Sequence, residues 1–132
     1  MLTDDTLSIR EMCEAFEVTP RTLRFYESKE LLFPIRQGTR RLFTRRDRAR
    51  LKLILRGKRF GFSLEDIRQV LDLYDQDGSN EAQTLKTYEL AQARLAQMEA
   101  QRAELDIAIA ELRNELKASE PMIASLRRAA AE

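Results

Sequence analysis

Between residues 88 and 116 the chain places residues at alternating spacings of three and four, and nothing else restricts its fold as much. In a heptad frame Tyr88, Leu95, Arg102, Ile109 and Leu116 occupy position a, while Ala91, Met98, Leu105 and Leu112 occupy position d. Eight of these nine seam positions are apolar, over about four heptads, and the other faces are rich in charge. A helix over 80–117 would be roughly 57 Å long at 1.5 Å per residue. One such helix cannot cover its own stripe, so the pattern predicts a coiled coil with a partner helix. Arg102 interrupts the seam; it either sets register and pairing or turns its charge outward. Pro121 is expected to end or kink the helix. The tail 121–132 then either folds back as a short helix or frays.

Upstream the periodicity changes to short amphipathic helices. Ser8 and Glu11 have capping-box spacing, and Ile9, Met12, Cys13 and Phe16 form one apolar stripe. Thr19 suits an N-cap and Pro20 the first helical position, which predicts a second helix from Pro20 to about Lys29 with Leu23 turned inward. Two short helices, the second carrying Arg21, Arg24 and Tyr26, read as a helix-turn-helix. Pro34 and Gly38 break the segment Leu31 to Phe43, where Leu31, Leu32, Phe33 and Ile35 precede, and Leu42 and Phe43 follow, a tip at Gln37-Gly38-Thr39. Arg36 and Arg40-Arg41 flank that tip, so the hairpin is a basic wing. Thr44 caps a third helix, with Asp47 three residues on, Leu51, Ile54 and Leu55 inward and Gly61 as its stop. Ser63 caps a fourth, with Ile67, Val70, Leu71 and Tyr74 inward. The polar run Gln76-Asp77-Gly78-Ser79-Asn80 is the expected boundary. The domains are then 1–76, a coiled-coil helix over 80–120 and the tail, in a mainly all-α fold.

Charge separates the same regions. The net +1 hides a balance of +4 over residues 1–75 and −3 over 76–132. Within 36–59 there are 11 basic residues against Asp47 alone, the footprint of a polyanion partner. Arg45, Arg46, Arg48 and Arg50 point in different directions around one helix, so not all of them can face that partner. Phe25, Phe33, Phe43, Phe60 and Phe62 are read mostly as core, because a small domain needs its aromatics there. No histidine, no glycine-rich phosphate loop and no clustered carboxylates argue against an enzyme. The single cysteine, Cys13, allows no internal disulfide and is expected to be a buried structural thiol; no cofactor or metal is expected. There is no apolar run long enough to cross a membrane and no signal-like N-terminus, so a cytoplasmic, nucleoid-associated bacterial protein is expected.

Four motifs in order carry a resemblance: Leu7-Ser8-Ile9; Thr19-Pro20-Arg21-Thr22-Leu23-Arg24-Phe25-Tyr26-Glu27; Gly38-Thr39-Arg40-Arg41-Leu42-Phe43-Thr44; and Gly61-Phe62-Ser63-Leu64-Glu65-Asp66-Ile67. Together they resemble the MerR family of transcription regulators over about residues 7–75. The stretch 50–64 and Leu71-Asp72-Leu73-Tyr74-Asp75 further resemble a short-chain subgroup tied to breakdown of leucine and other branched-chain amino acids or acyl-CoA. Metal-sensing members place cysteines near the start of the dimer helix and in a loop after it, and 76–90 and 117–132 contain none. Drug-sensing members carry a large ligand domain, for which this chain has no room. Phe43 stands where many members have a tyrosine, which removes one phosphate hydrogen bond.

The resemblance implies a winged helix-turn-helix that binds duplex DNA, and long helices that pair antiparallel in a two-fold homodimer on a pseudo-palindromic promoter site. It assigns Thr19, Arg21, Thr22, Arg24, Tyr26, Arg36, Arg40 and Arg41 to DNA. Arg21 is the expected base reader, Arg24 and Tyr26 hold phosphates, and Arg40 and Arg41 enter or straddle the minor groove. The competing pattern for Arg24 is a surface ion pair with Glu27 or Glu30. The resemblance also implies distortion of promoter spacer DNA so that RNA polymerase engages, directly or indirectly. A small effector pocket lined by Tyr74, Leu85 and Tyr88 against the partner's long helix is a further expectation. The alternative is a coiled-coil adaptor whose basic head binds an acidic protein.

Overall fold

The computed structural model describes residues 5–77 and 81–132, in the order β1 (Leu7–Ser8), α1 (Ile9–Phe16), α2 (Pro20–Ser28), β2 (Ile35–Gln37), β3 (Arg40–Phe43), α3 (Arg45–Arg59), α4 (Leu64–Asp77) and α5 (Glu81–Ala131). The inward placement expected for Tyr74 and the polar run at 78–80 lie outside what is described. Contacts divide the chain into Met1–Leu90 and Ala91–Glu132. The first unit takes in the opening turns of α5, where the Gln83 amide donates to the Val70 carbonyl at 3.2 Å.

The expected caps are formed. Ser8 and Glu11 bond reciprocally, and the bonds from Ser8 hold the Glu11 carboxyl below its ordinary pKa. Thr44 and Asp47 repeat the arrangement at α3, and the Ser63 hydroxyl accepts the Asp66 N–H at 3.0 Å. The expected hairpin forms β2 and β3, but they belong to a three-stranded antiparallel sheet in the order β1-β3-β2. The strand β1 has two residues, too few for alternation to show.

Under this sheet and α1–α4 lies one core of Met12, Leu23, Tyr26, Leu31, Leu32, Phe43, Leu51, Ile54, Ile67 and Leu71. The aromatic expectation was largely wrong: Phe43 is buried and Phe62 half-buried, whereas Phe25, Phe33 and Phe60 are exposed. Aliphatic side chains fill the space, and two of the outer rings lie against cations instead. The Lys29 ammonium is 5.6 Å from the Phe25 ring centre and the Arg50 guanidinium 5.2 Å from that of Phe33. Phe43 takes the core place expected of it, because β3 turns its ring inward. Cys13 is half-buried rather than enclosed.

Two buried charges tie the link between α2 and β2 to α3. Asp47, 1% exposed, accepts the Phe33 N–H at 2.9 Å and the Thr44 N–H and hydroxyl at 3.1 Å. The Arg50 Nε donates to the Leu31 carbonyl at 2.7 Å. Both sides of this segment are thereby held by one helix, with the buried polar atoms satisfied.

Gly57 sets how closely α3 and α4 approach. A Cβ there would lie 2.8 Å from Cγ1 of Ile67, itself buried. Gly57→Ala should therefore lower the thermal midpoint, the clash costing about 1–3 kcal/mol against a helix-propensity gain of about 1. A raised midpoint in a circular-dichroism melt would show that Ile67 yields freely.

No residue of α5 is buried, and Tyr88, Leu95, Met98, Leu105, Ile109, Leu112 and Leu116 are all exposed in the single chain. Of the two effects expected of Pro121, ending the helix does not occur: α5 continues to Ala131, so the tail extends the same helix instead of folding back or fraying. Proline removes one backbone hydrogen bond there, to the Lys117 carbonyl. Helix-forming residues on both sides outweigh that loss, and the Ser119 hydroxyl bonds back to the Glu115 carbonyl at 3.0 Å. The heptad frame also persists beyond the proline, with Ile123 at a and Leu126 at d.

Candidate nucleic-acid interface

The second helix of the helix-turn-helix is fixed at both ends. At its start Thr19 Oγ1 accepts the Thr22 N–H at 3.1 Å and lies 2.9 Å from the Thr22 hydroxyl. The turn before it is closed by Glu17 in a left-handed conformation, φ 55°, with the Val18 N–H bonded to the Cys13 carbonyl at 3.2 Å. At its other end Glu30, φ 59°, reverses the chain, and the Leu31 N–H bonds the Tyr26 carbonyl at 2.9 Å. Arg68 of α4 then donates to the carbonyls of Lys29 and Glu30. A guanidinium at a helix C-terminus satisfies carbonyls that have no partner in the helix and opposes its dipole.

Held in this way, α2 buries Leu23 and exposes Arg21 and Arg24, with Thr22 half-buried. Among the described residues neither arginine makes an ion pair, so the alternative pairing of Arg24 with Glu27 or Glu30 does not form. Tyr26 is 6% exposed, its ring in the core and 5.7 Å from that of Phe25. No buried side-chain oxygen among the described residues lacks a partner, and no protein group takes the Tyr26 hydroxyl, so that oxygen reaches the surface. Burial pushes the hydroxyl above its ordinary pKa, which keeps it a proton donor. Burial likewise raises the Cys13 thiol, outweighing the nearby Arg24 charge, so Cys13 is a poor nucleophile.

The wing sorts its cations by strand alternation. Arg36 pairs with Arg41 across β2 and β3, and Gln37 pairs with Arg40. Arg41 and Arg36 both reach Glu27 on α2, Arg41 Nε at 2.6 Å from one carboxylate oxygen and Arg36 Nη1 at 3.2 Å from the other. Arg40, one residue away on the opposite face, is exposed and makes no ion pair among the described residues. The two adjacent arginines, given one role from sequence, are thus placed differently. Glu27 and Arg68 were missed as organising residues, although strand alternation alone separates Arg40 from Arg41.

The other basic residues divide again. Arg45 and Arg48 hold Asp5, at 3.2 Å to its carboxylate and 2.7 Å to its carbonyl, and Arg50 is buried. Arg45, Arg46, Lys52 and Arg56 also rim an open groove of about 740 Å³ floored by Ala49, Leu53 and Leu71. The nine seam residues are exposed and lie on one face of α5.

Two family models match the chain: "MerR HTH family regulatory protein" over residues 7–74 and "MerR, DNA binding" over 48–114. The HTH-type transcriptional regulator ZntR of Escherichia coli K12 is 38% identical over 99 residues, covering 74% of this chain and 69% of that protein. The mercuric resistance operon regulatory protein of Pseudomonas fluorescens is 33% identical over 130 residues, covering 93% of this chain and 89% of that one. Among solved structures, HiNmlR, a MerR family regulator lacking the sensor domain and bound to promoter DNA, has a TM-score of 0.59 at 26% identity, covering 76% of this chain and 79% of that one. With the capped second helix, the wing and the long C-terminal helix already in place, these matches show that the chain belongs to the MerR family of DNA-binding transcription regulators.

Proposed function

We propose that two copies pair through α5 and present two reading helices and two wings to a pseudo-palindromic promoter site. The carrying observation is that Arg21, Arg24 and Arg40 stand exposed, without ion pairs among the described residues, on α2 and the adjoining wing. In this reading Arg21 and Thr22 face base edges in the major groove, and Arg24 and the Tyr26 hydroxyl hold phosphates. Thr19 shapes the helix end, and Arg40 leads the wing into the flanking groove. Distortion of the promoter spacer then presents both promoter elements to RNA polymerase.

The test is titration against the duplex upstream of the protein's own gene at several salt concentrations. Arg40→Ala should weaken binding about tenfold and flatten the salt slope by about two per dimer, one phosphate for each head. Binding no tighter than to random duplex, and indifferent to Arg40, would favour the adaptor that grips an acidic protein.

The finer assignment, to genes of branched-chain amino-acid or acyl-CoA breakdown, rests on residues 50–64 and 71–75 alone. The similarity to a mercuric resistance regulator pulls towards metal response instead, but a single cysteine and no histidine give this chain a poor thiolate and imidazole donor set. The basic groove on α3 with its apolar floor suits an anionic, partly apolar effector better than a cation. Isothermal titration showing no heat with an acyl-CoA would remove that assignment's support.

A further inference from the structure

We propose that Glu27 is a specificity-determining positioning residue that does not touch DNA. It binds two wing cations to the reading helix and so withholds their charge from non-cognate duplex. Arg36 and Arg41 are direct partners in the β2–β3 register, where like charges repel. Glu27 lies against both, giving one carboxylate oxygen to each strand. The Glu27 and Arg41 side chains are each 22% exposed, so this pair is less screened than a surface ion pair; Arg36, at 50%, is the looser arm.

Two consequences follow from that placement. A carboxylate on α2 gripping both strands fixes the wing relative to the helix, and hence the offset between the element in the major groove and the one beside it. The head also carries two classes of cation. Arg21, Arg24 and Arg40 make no ion pair among the described residues and act on any phosphate. Arg36 and Arg41 must first leave Glu27, and only a duplex whose other contacts are well made supplies a phosphate able to compete. Non-specific binding, which is almost wholly a count of neutralised phosphates, is therefore held down.

The inference rests on α2 and the wing facing duplex DNA, and the experiment separates the two. The full chain is titrated with its upstream duplex and with random duplex across a potassium chloride series. Glu27→Gln should tighten random-duplex binding about tenfold at low salt. It should steepen that salt slope by about two or more per dimer, since each phosphate newly contacted adds roughly 0.9. The preference for upstream over random duplex should fall by about tenfold. In an Arg36→Gln, Arg41→Gln background the same change should alter neither quantity. An unchanged random-duplex slope, or an effect that persists without the two arginines, overturns the proposal. If Glu27→Gln melts early, Glu27→Asp, which keeps the charge one methylene further back, should steepen the slope in the same direction, and no change there overturns it equally. Failure of the underlying reading looks different: the unsubstituted protein itself would show no preference for the upstream duplex.

Discussion

Leu105→Glu should convert the protein to a monomer and weaken operator binding by about a thousandfold. Leu105 sits at position d near the middle of the seam and is 60% exposed in the single chain. In a paired helix it would be buried, and each dimer would then enclose two carboxylates without partners, at several kcal/mol each. Losing the pairing loses more than contact area. A second head linked to a bound one acts at an effective concentration near millimolar, so two weak half-sites together hold far better than one. Ile107→Glu is the matching control. Ile107 is equally exposed, at 61%, but falls at position f, on the face away from the seam. Sedimentation should therefore find Leu105→Glu monomeric and Ile107→Glu dimeric. The reverse result would move the seam to another face of α5.

Asp47→Ala should cost about 3 kcal/mol, since it removes the reciprocal half of the α3 capping box and takes the carboxylate acceptor from the part-buried Phe33 and Thr44 N–H groups and the Thr44 hydroxyl. For a head of this size that corresponds to a fall of roughly 12–24 °C in thermal midpoint. Residues 31–33 would lose their anchor to α3 while α5 keeps its own backbone bonds. Calorimetry or a near-ultraviolet melt should thus show the head lost first. A midpoint within a few degrees of the unsubstituted protein would mean that Arg50 holds the segment alone.

Much of this fold was legible from spacing, and the exceptions share a physical cause. Caps at Ser8, Thr19, Thr44 and Ser63 are local, set by side chains three residues from their partners, and all four form. The apolar faces of α1 to α4 follow the 3.6-residue period in the same way. Hidden features depend on what comes together across the chain. The two-residue β1 exists only because β3 is beside it, and Arg68 bonds the C-cap of α2, Lys29, 39 residues upstream. Glu27 looked like a neighbour for Arg24 because the two are one turn apart, yet two wing arginines claim it. Which phenylalanines are buried was likewise a question of volume, and Leu31, Leu32, Leu51 and Ile54 had already filled the space. For the candidate interface, the motif named the basic residues, and the sheet register separates those held by Glu27 from the exposed Arg40.

Pro121 sits at heptad position f, and the carbonyl it leaves without a partner, that of Lys117, sits at b. In the paired helix proposed above, both would belong to the convex side. Curved helices lengthen their hydrogen bonds on the watery side, and a proline placed there opens the backbone where a solvent molecule can take the freed carbonyl. Any bend it imposes turns the last ten residues towards the seam, so that in the proposed pair Ile123 and Leu126 would close on a partner rather than peel away from it.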